Sequence, residues 1–437
     1  MKKVAILIFF LLIPQTLLAN LLKGNFTNFL DFKTYYTNQK EGFIEGALGT
    51  KLEKGLNFYF IAGAKGRTKH LEVCVSARGK GLHFPEEKKF ETELFTTYLK
   101  LYFYKFSFEV GKDSVQYEPG EYGLLFSHNA PPYWMVKFQT EKPLIFWGKW
   151  NFAIFQGWLR EKRRDYSNPK VLGIRLSWRP FSWLEIGGTR STLFGGDGRP
   201  SYKIWDYWEI ITAAKENEPG NKFDNDGYAD YDFSVYIPAK NWISSIEELK
   251  LYYEQGGTDL CAFWQPEDSY SKCGIFGFAL MDTATVAGIY LKTKKQSLRF
   301  EYAETSKDWY IHHIYNYEGY TYHGFSLGYP YGRDIQSFLF KHEFKLNPRW
   351  KILYKLGYYR SPYKKLGPSM KRYYQEFRLK YSKPNWYIEG FLRFDETKNY
   401  DTNFLPNHFN VISENKFFYT LGIFFNYKFE FDYLGEK

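Results

Sequence analysis

The sequence predicts an all-β protein: a closed antiparallel transmembrane β-barrel of about 18 strands with long extracellular loops. Aromatic residues make up 22% of the 437-residue chain and charged residues 24%. That combination suits a barrel with an apolar outer face, a polar lumen and aromatic girdles. Polar and apolar residues also alternate through segments of about 9 to 12 residues, the length of a tilted membrane strand. Finally, long and short connections alternate along the chain.

The alternation is clearest in "YTLGIFFNYKFEF", residues 419–431. Because successive side chains of a strand point to opposite faces, every second residue shares a face. Shorter stretches at 171–178, 249–255 and 376–382 alternate in the same way. One face of the 419–431 segment is entirely apolar or aromatic: Tyr419, Leu421, Ile423, Phe425, Tyr427, Phe429 and Phe431.

Parity fixes the strand count. From residue 104 onward the chain holds 14 strand-like runs, and the run 90–101 precedes them. A closed bacterial barrel needs an even number of strands, so only three of the earlier candidate runs span and the total is 18. A β-sandwich would also alternate, but it would not explain the succession of long and short connections. The N-terminal quarter offers four candidates: 25–37, 42–54, 56–65 and 70–77.

Residues 1–19, "MKKVAILIFFLLIPQTLLA", have the features of a secretory signal peptide. Two lysines precede a short apolar core, and Ala19 offers a cleavage site. We therefore expect residues 20–437 to form the exported barrel. Its predicted location is the outer membrane, with both termini in the periplasm.

The formal net charge is +11, and removing the two leader lysines would leave +9. The positive electrostatic field of such a charge attracts anionic lipid headgroups or an acidic polymer. Nucleic acid is not expected as a partner of an exported barrel. Cys261 and Cys273 share one predicted loop and are a candidate disulfide. Cys74 lies in a strand-like run and is expected to be a packed thiol.

The segment "VGKDSVQYEPGEYGLLFSHNAPPYWMVKF", residues 110–138, is predicted to be an ordered outer loop and a returning strand. We expect the loop to build the outer vestibule. The segment resembles the signature of the Wzi-like capsule-assembly outer-membrane proteins, although His128 departs from it. The matching residues are Gly111, Asp113, Ser114, Pro119, Gly120, Asn129, Ala130 and Pro131.

Further stretches resemble the same family in the same order, and together the matches span residues 107–345. "GGTRSTLFGGDGRPS" carries Gly195, Gly196, Gly198 and Pro200, and Asp197 stands at the position where the family has an acidic residue. "NEPGNKFDNDGYADYDF" follows it, and residues 312–337 resemble the family more weakly.

This resemblance implies an 18-stranded outer-membrane barrel that binds capsular or extracellular polysaccharide and helps to organise the capsule. It implies a lectin-like protein with no cofactor that is neither an enzyme nor the export channel. Outer-membrane lipid and other capsule-export components are the implied further partners. A helical bundle precedes the barrel in the family, whereas residues 20–100 show only strand alternation. No role of that bundle is therefore carried over.

The longest predicted outer loop contains "KIWDYWEII", residues 203–211. Flat aromatic faces stack on the apolar faces of sugar rings, and polar neighbours bind hydroxyl groups. The alternative is that these aromatics pack the loop or belong to the membrane girdle. The candidate polysaccharide contacts are Trp205, Asp206, Tyr207, Trp208, Asp197, Arg199, Asn217 and Asn221.

Other chemistries find weak support in the sequence. "DNDGYADYD" fails the calcium-loop pattern, because Lys222 and Phe233 stand where carboxylates belong. His312, His313 and His323 share a loop but are expected to be surface histidines, so no metal site is predicted. A lipid hydrolase or acyltransferase is disfavoured, since no nucleophile motif is present. An outer-membrane porin remains the alternative function.

Overall fold

The computed structural model describes residues 25–83, 88–117, 119–212, 220–262, 278–362, 369–399 and 414–432. Within these residues the chain forms one closed antiparallel barrel of 18 strands, as the sequence predicts. Among the described residues, no helix is both long and apolar enough to cross a bilayer.

The barrel strands follow one another around the ring in chain order, each antiparallel to the next. They are β1 Asn25–Phe43, β2 Lys51–Arg67, β3 Leu71–His83, β4 Lys88–Phe103, β5 Phe106–Asp113, β6 Tyr133–Thr140, β7 Lys149–Trp158, β8 Lys170–Phe181, β9 Leu184–Phe194, β10 Asp226–Ile237, β11 Ile246–Gly257, β12 Ala284–Thr293, β13 Gln296–Thr305, β14 Gln336–Lys345, β15 Trp350–Ser361, β16 Met370–Ser382, β17 Trp386–Lys398 and β18 Lys416–Asp432.

The first and last strands close the ring. β1 pairs with β18 from Asn25↔Asp432 to Thr37↔Thr420 without a register break. The predicted run 42–54 does not span, because β1 ends at Phe43 and β2 begins at Lys51. The predicted count of 18 strands is therefore confirmed, and the candidate run 42–54 is the one that does not span.

The last strand shows which face of the barrel wall points outward and which points into the lumen. The apolar face predicted for β18 is the outer one, since Leu421, Ile423 and Phe425 are exposed while the intervening Phe424 is buried. Large aromatics also stand exposed at the short connections, as in the girdles that meet the membrane interface. They include Tyr104, Phe146, Trp147, Trp183 and Trp242.

The two ends of the barrel differ. Short connections of two to eight residues, together with Asn25 and Asp432, lie at one end, which we call the turn end. The long connections lie at the other, the loop end, where 306–335 is the longest that the described residues span without a gap. Small elements sit in the loop-end connections: a helix at Asp206–Thr212 and short strand pairs at Thr321–Tyr322 with Phe325–Ser326 and Asp259–Ala262 with Phe278–Met281. The turn end holds a 3-10 turn at Ala239–Asn241 and a two-residue strand at Leu144–Ile145.

Candidate functional site at the loop end

Three loop-end connections fold into the barrel and fill the loop-end part of its lumen. We call the segments 44–50, 119–132 and 306–335 the lumen plug. The expectation that residues 111–133 build an outer vestibule is therefore wrong, because the middle of this segment lies inside the wall. Its side chains and those of 306–335 join one buried, tyrosine-rich cluster, whereas Ile44 of the first segment belongs to a separate cluster. The larger cluster includes Leu124, Leu125, Phe126, Tyr310, Tyr315, Tyr320 and Tyr329.

The segment 119–132 reaches across the lumen from one side of the wall to the other. The ring of Phe126 packs edge-on against Phe155 of β7, with centroids 4.9 Å apart. At the other end of the segment, the carboxylate of Glu121 lies 2.9 Å from Lys341 of β14 and 3.3 Å from Lys355 of β15. Because β7 and β14 stand on opposite sides of an 18-strand ring, this segment crosses the lumen.

Main-chain hydrogen bonds join the plug segments to one another. The amides of Leu48 and Gly49 donate to the carbonyls of His128 and Asn129 at 2.8 and 2.9 Å. The side-chain amide of Asn129 donates to Ser326 at 3.1 Å, so this family-motif residue links all three segments. The backbones also come very close at Gly328, where a Cβ would lie 1.9 Å from the carbonyl oxygen of Leu124.

The other family-motif residues of this region are surrounded by contacts within the protein. A Cβ on Gly111 would lie 2.3 Å from the carbonyl oxygen of Thr97, so only glycine fits there. The carbonyl of Pro119 accepts a hydrogen bond from Lys250. Asp113 faces Lys137 at 3.8 Å. The remaining four are partly or fully buried in or beside the plug: Ser114, Gly120, Ala130 and Pro131.

Several buried charges on the wall are paired, which offsets the cost of burying ionic groups. Arg393 of β17 binds both carboxylate oxygens of the plug residue Glu45, at 2.5 and 2.9 Å. Its Nε donates to Asp395 at 3.1 Å, and Arg372 binds the same carboxylate. On the turn-end side of the plug, a cavity of about 840 Å³ remains, roofed in part by Glu121.

The connection 159–169 carries a basic surface beside the plug. Buried Arg163 anchors it, donating to the carbonyl of Gly319 at 2.6 Å. Arg160, Lys162 and Arg164 remain exposed, and we call these three residues the basic rim. Within the described part of the chain, none of the three is ion-paired with a carboxylate.

The described parts of the connection 195–225, residues 195–212 and 220–225, fold down over the outside of the wall. Gln156 neighbours the lumen-facing Phe155 and so points outward, and the hydroxyl of Tyr207 donates to it. Ile210 is buried against Phe194 and Leu172, whose side chains also lie on the outer face. The opposite side of the helical turn stays exposed. We call Ile204, Trp205 and Trp208, which are 71%, 73% and 69% exposed, the aromatic ledge.

The polar candidates of this connection mostly stabilise the loop. Asp206 accepts hydrogen bonds from Lys222 at 2.8 Å and the amide of Lys203 at 2.7 Å, and the bond from Lys222 leads in lowering its pKa. Asp197 is bonded to Asn168. Arg199 donates to the carbonyl of Asp224 and Asn221 accepts from the amide of Phe223, while Gly195, Gly196 and Gly198 adopt positive φ in the turn that ends near Pro200.

Other predictions fall partly outside the described structure. Asn217 and Cys273 are not among the described residues, and neither is the side chain of Cys261, so the disulfide stays a prediction. Cys74 is buried, as expected for a packed thiol.

A cluster that the sequence did not predict joins two connections at the loop end. Nε2 of His313 lies 3.0 Å from Oδ2 of Asp224, and Nε2 of His312 lies 3.8 Å from Oδ1. His312 is largely buried, so the expectation of surface histidines is wrong for it. The adjacent histidines were visible in the sequence, but nothing local indicated that Asp224 meets them.

Lipid-facing strands, aromatic girdles and a lumen whose loop-end part is filled by the chain's own loops define the class: an outer-membrane β-barrel with a folded loop-end surface. The family follows from a direct match. Residues 36–402 match the model of the family described as capsule assembly protein Wzi, and the chain belongs to that family.

Individual relatives are more distant. A Klebsiella pneumoniae protein, described as an uncharacterized 55.8 kDa protein in the cps region, is 27% identical over 137 residues. That match covers 28% of this chain and about a quarter, 26%, of the relative's length.

Solved structures show similar folds. One, described as Wzi, an outer membrane protein involved in group 1 capsule assembly in Escherichia coli and a carbohydrate-binding β-barrel, has a TM-score of 0.66 at 16% identity. The alignment covers 94% of this chain and 86% of that one. OccK3 of Pseudomonas aeruginosa has a TM-score of 0.54 at 10% identity, covering 94% and 98% of the two chains.

Proposed function

We propose that the protein binds an acidic polysaccharide at its loop end and so helps to organise a capsule on the cell surface. The observation that carries this proposal is the basic rim, three exposed cations beside a lumen that the chain's own loops fill. Guanidinium groups bind carboxylates through two parallel hydrogen bonds, and acidic sugars present such carboxylates. Family membership and the carbohydrate binding stated for the similar E. coli barrel support the same choice of ligand.

The surroundings of the rim suit a sugar chain. The guanidinium of Arg164 lies 4.2 Å from the ring centre of Tyr317, which fixes a cation and an aromatic face together. The loop that carries the rim is bonded to the 195–203 turn, through the amide of Asp197 and the carbonyl of Ser167 at 2.8 Å. A polymer crossing the rim could therefore continue toward the aromatic ledge.

The filled lumen supports a surface role over the porin alternative. A diffusion channel needs an open path, whereas segment 119–132 crosses the lumen and is tied to the other plug segments. We infer a binding protein that performs no catalysis. In this proposal residues 1–19 are removed on export, the termini face the periplasm, and lipid and other capsule-export components are further partners.

The proposal is tested with purified barrel in detergent and two probes, a uronic-acid polysaccharide and neutral dextran. Replacing Arg160, Lys162 and Arg164 by Gln is expected to weaken uronate binding about ten-fold, since exposed charge contacts contribute up to about 1 kcal/mol each. Affinity measured at about 0.05 and 0.5 M salt should show a smaller salt dependence in the variant, because exposed charges are screened.

A matched control removes the same charge from the turn end, by replacing Lys142, Lys294 and Lys295 with Gln. These lysines are exposed like the rim residues. The control should bind as the native protein does. Equal weakening in both variants would mean that net charge alone attracts the polymer, and failure of the native protein to bind the uronate polymer would remove the proposal.

A further inference from the structure

The side chains of Asp224, His312 and His313 converge at the loop end from two connections that lie far apart in the chain. One ligand atom from each residue can be chosen so that all three atoms lie within 4.8 Å of one another. The two imidazole nitrogens approach different oxygens of the same carboxylate, at 3.8 and 3.0 Å. The carboxylate therefore faces both rings at once.

A second observation concerns the carboxylate itself. The side chain of Asp224 is only 4% exposed. Its Oδ1 is buried and accepts no hydrogen bond from the described residues. A buried carboxylate oxygen without a donor is costly, and a cation bound there would satisfy it.

We propose that Asp224, His312 and His313 form a binding site for a divalent transition-metal ion of the Zn²⁺ type. Two imidazole nitrogens and one carboxylate oxygen are a ligand set that zinc accepts with a fourth position left open. With ligands at about 2.0 to 2.1 Å in tetrahedral geometry, neighbouring ligand atoms lie about 3.3 Å apart. Nε2 of His312 lies 3.8 Å from Oδ1 and Nε2 of His313 lies 3.0 Å from Oδ2, so each nitrogen is within about 0.5 Å of that spacing from one of the two carboxylate oxygens.

The neighbouring groups set the conditions for binding. His313 is 53% exposed, so an ion can enter from solvent and keep a water in the fourth position. Arg199, bonded to the carbonyl of Asp224, opposes a cation. Coordination through Nε2 of His312 also gives up the 3.4 Å contact from the amide of Ile314 to Nδ1.

A bound ion would link the plug segment 306–335 to the outer-wall connection 195–225. In the experiment, the full barrel without an affinity tag is titrated with Zn²⁺ by calorimetry, and with Co²⁺ by visible absorption. We expect one ion per chain and the intense absorption of tetrahedral Co²⁺. Replacing His313 by Ala or Asp224 by Asn should weaken binding at least about ten-fold, since even outer-shell changes weaken metal sites by that factor.

His323 provides the matched control, because it lies in the same connection and its side chain is also 53% exposed. His323→Ala should bind Zn²⁺ as tightly as the native barrel. Circular dichroism without metal identifies variants that remain folded, and exposed His313→Ala keeps the test valid if Asp224→Asn is misfolded. Absence of saturable binding in the native barrel, or equal affinity in His313→Ala and the native barrel, would overturn the proposal.

Discussion

Glu45 and Arg393, which are 348 residues apart in the chain, form a two-point ion pair inside the barrel, with oxygen–nitrogen distances of 2.5 and 2.9 Å. Glu45 belongs to the plug and Arg393 to the wall strand β17. Both side chains are almost fully buried. The pair therefore fixes the first inward segment of the chain to one of its last strands.

Replacing Glu45 by Gln should destabilise the barrel by about 3 kcal/mol, because removing one partner of a buried pair leaves a buried charge undercompensated. Urea unfolding from lipid vesicles would measure the change. The control is Glu396→Gln, which removes an exposed pair with Lys398 at 3.8 Å and should cost less than about 1 kcal/mol. Equal losses in the two variants would show that the Glu45 pair has no special role.

The plug should block ion flow. In planar bilayers we expect the native barrel to give no large steady conductance. A variant in which residues 120–128 are replaced by a Gly-Ser bridge should conduct, because the segment that crosses the lumen is removed. Replacing the outer-wall helix 206–212 in the same way is the control and should leave the barrel closed. Large steady currents through the native barrel would support the porin alternative.

Substitutions in the aromatic ledge would distinguish two roles for Trp205 and Trp208, stacking on sugars and contact with the membrane. Replacing both by Ala should weaken polysaccharide binding while leaving its salt dependence nearly unchanged, because stacking does not depend on screened charge. Trp147→Ala, at an exposed tryptophan of the turn end, is the control. Unchanged retention of polysaccharide by the folded double variant would assign the ledge to the membrane interface.

The loop end should face outward from the cell. In a background without native cysteines, Asn316→Cys should react with an impermeant maleimide on intact cells, whereas Lys294→Cys should react only after lysis. Both positions are exposed, one at each end of the barrel. The reverse labelling pattern would invert the proposed orientation.

The wall was predictable because lipid on one side and a polar lumen on the other impose alternation on every strand. The plug was not, because its position depends on distant partners such as Glu121 and Lys341, which are 220 residues apart. The Gly and Pro residues spaced through 111–133 indicate a loop, but they do not indicate whether the loop folds into the lumen or away from it. Likewise, "KIWDYWEII" indicates an aromatic loop, but its position on the outer wall depends on the contacts of Tyr207 with Gln156 and of Ile210 with Phe194 and Leu172.

The contacts of segment 119–132 also bear on the order in which the barrel is assembled. The segment follows β5, yet the amide of Leu124 donates to Glu254 and that of Glu121 to Glu301, which belong to strands formed 130 and 180 residues later. Its native bonds therefore cannot exist until most of the sheet has been synthesised. The plug therefore reaches its final position late in folding, once the strands that hold it have formed.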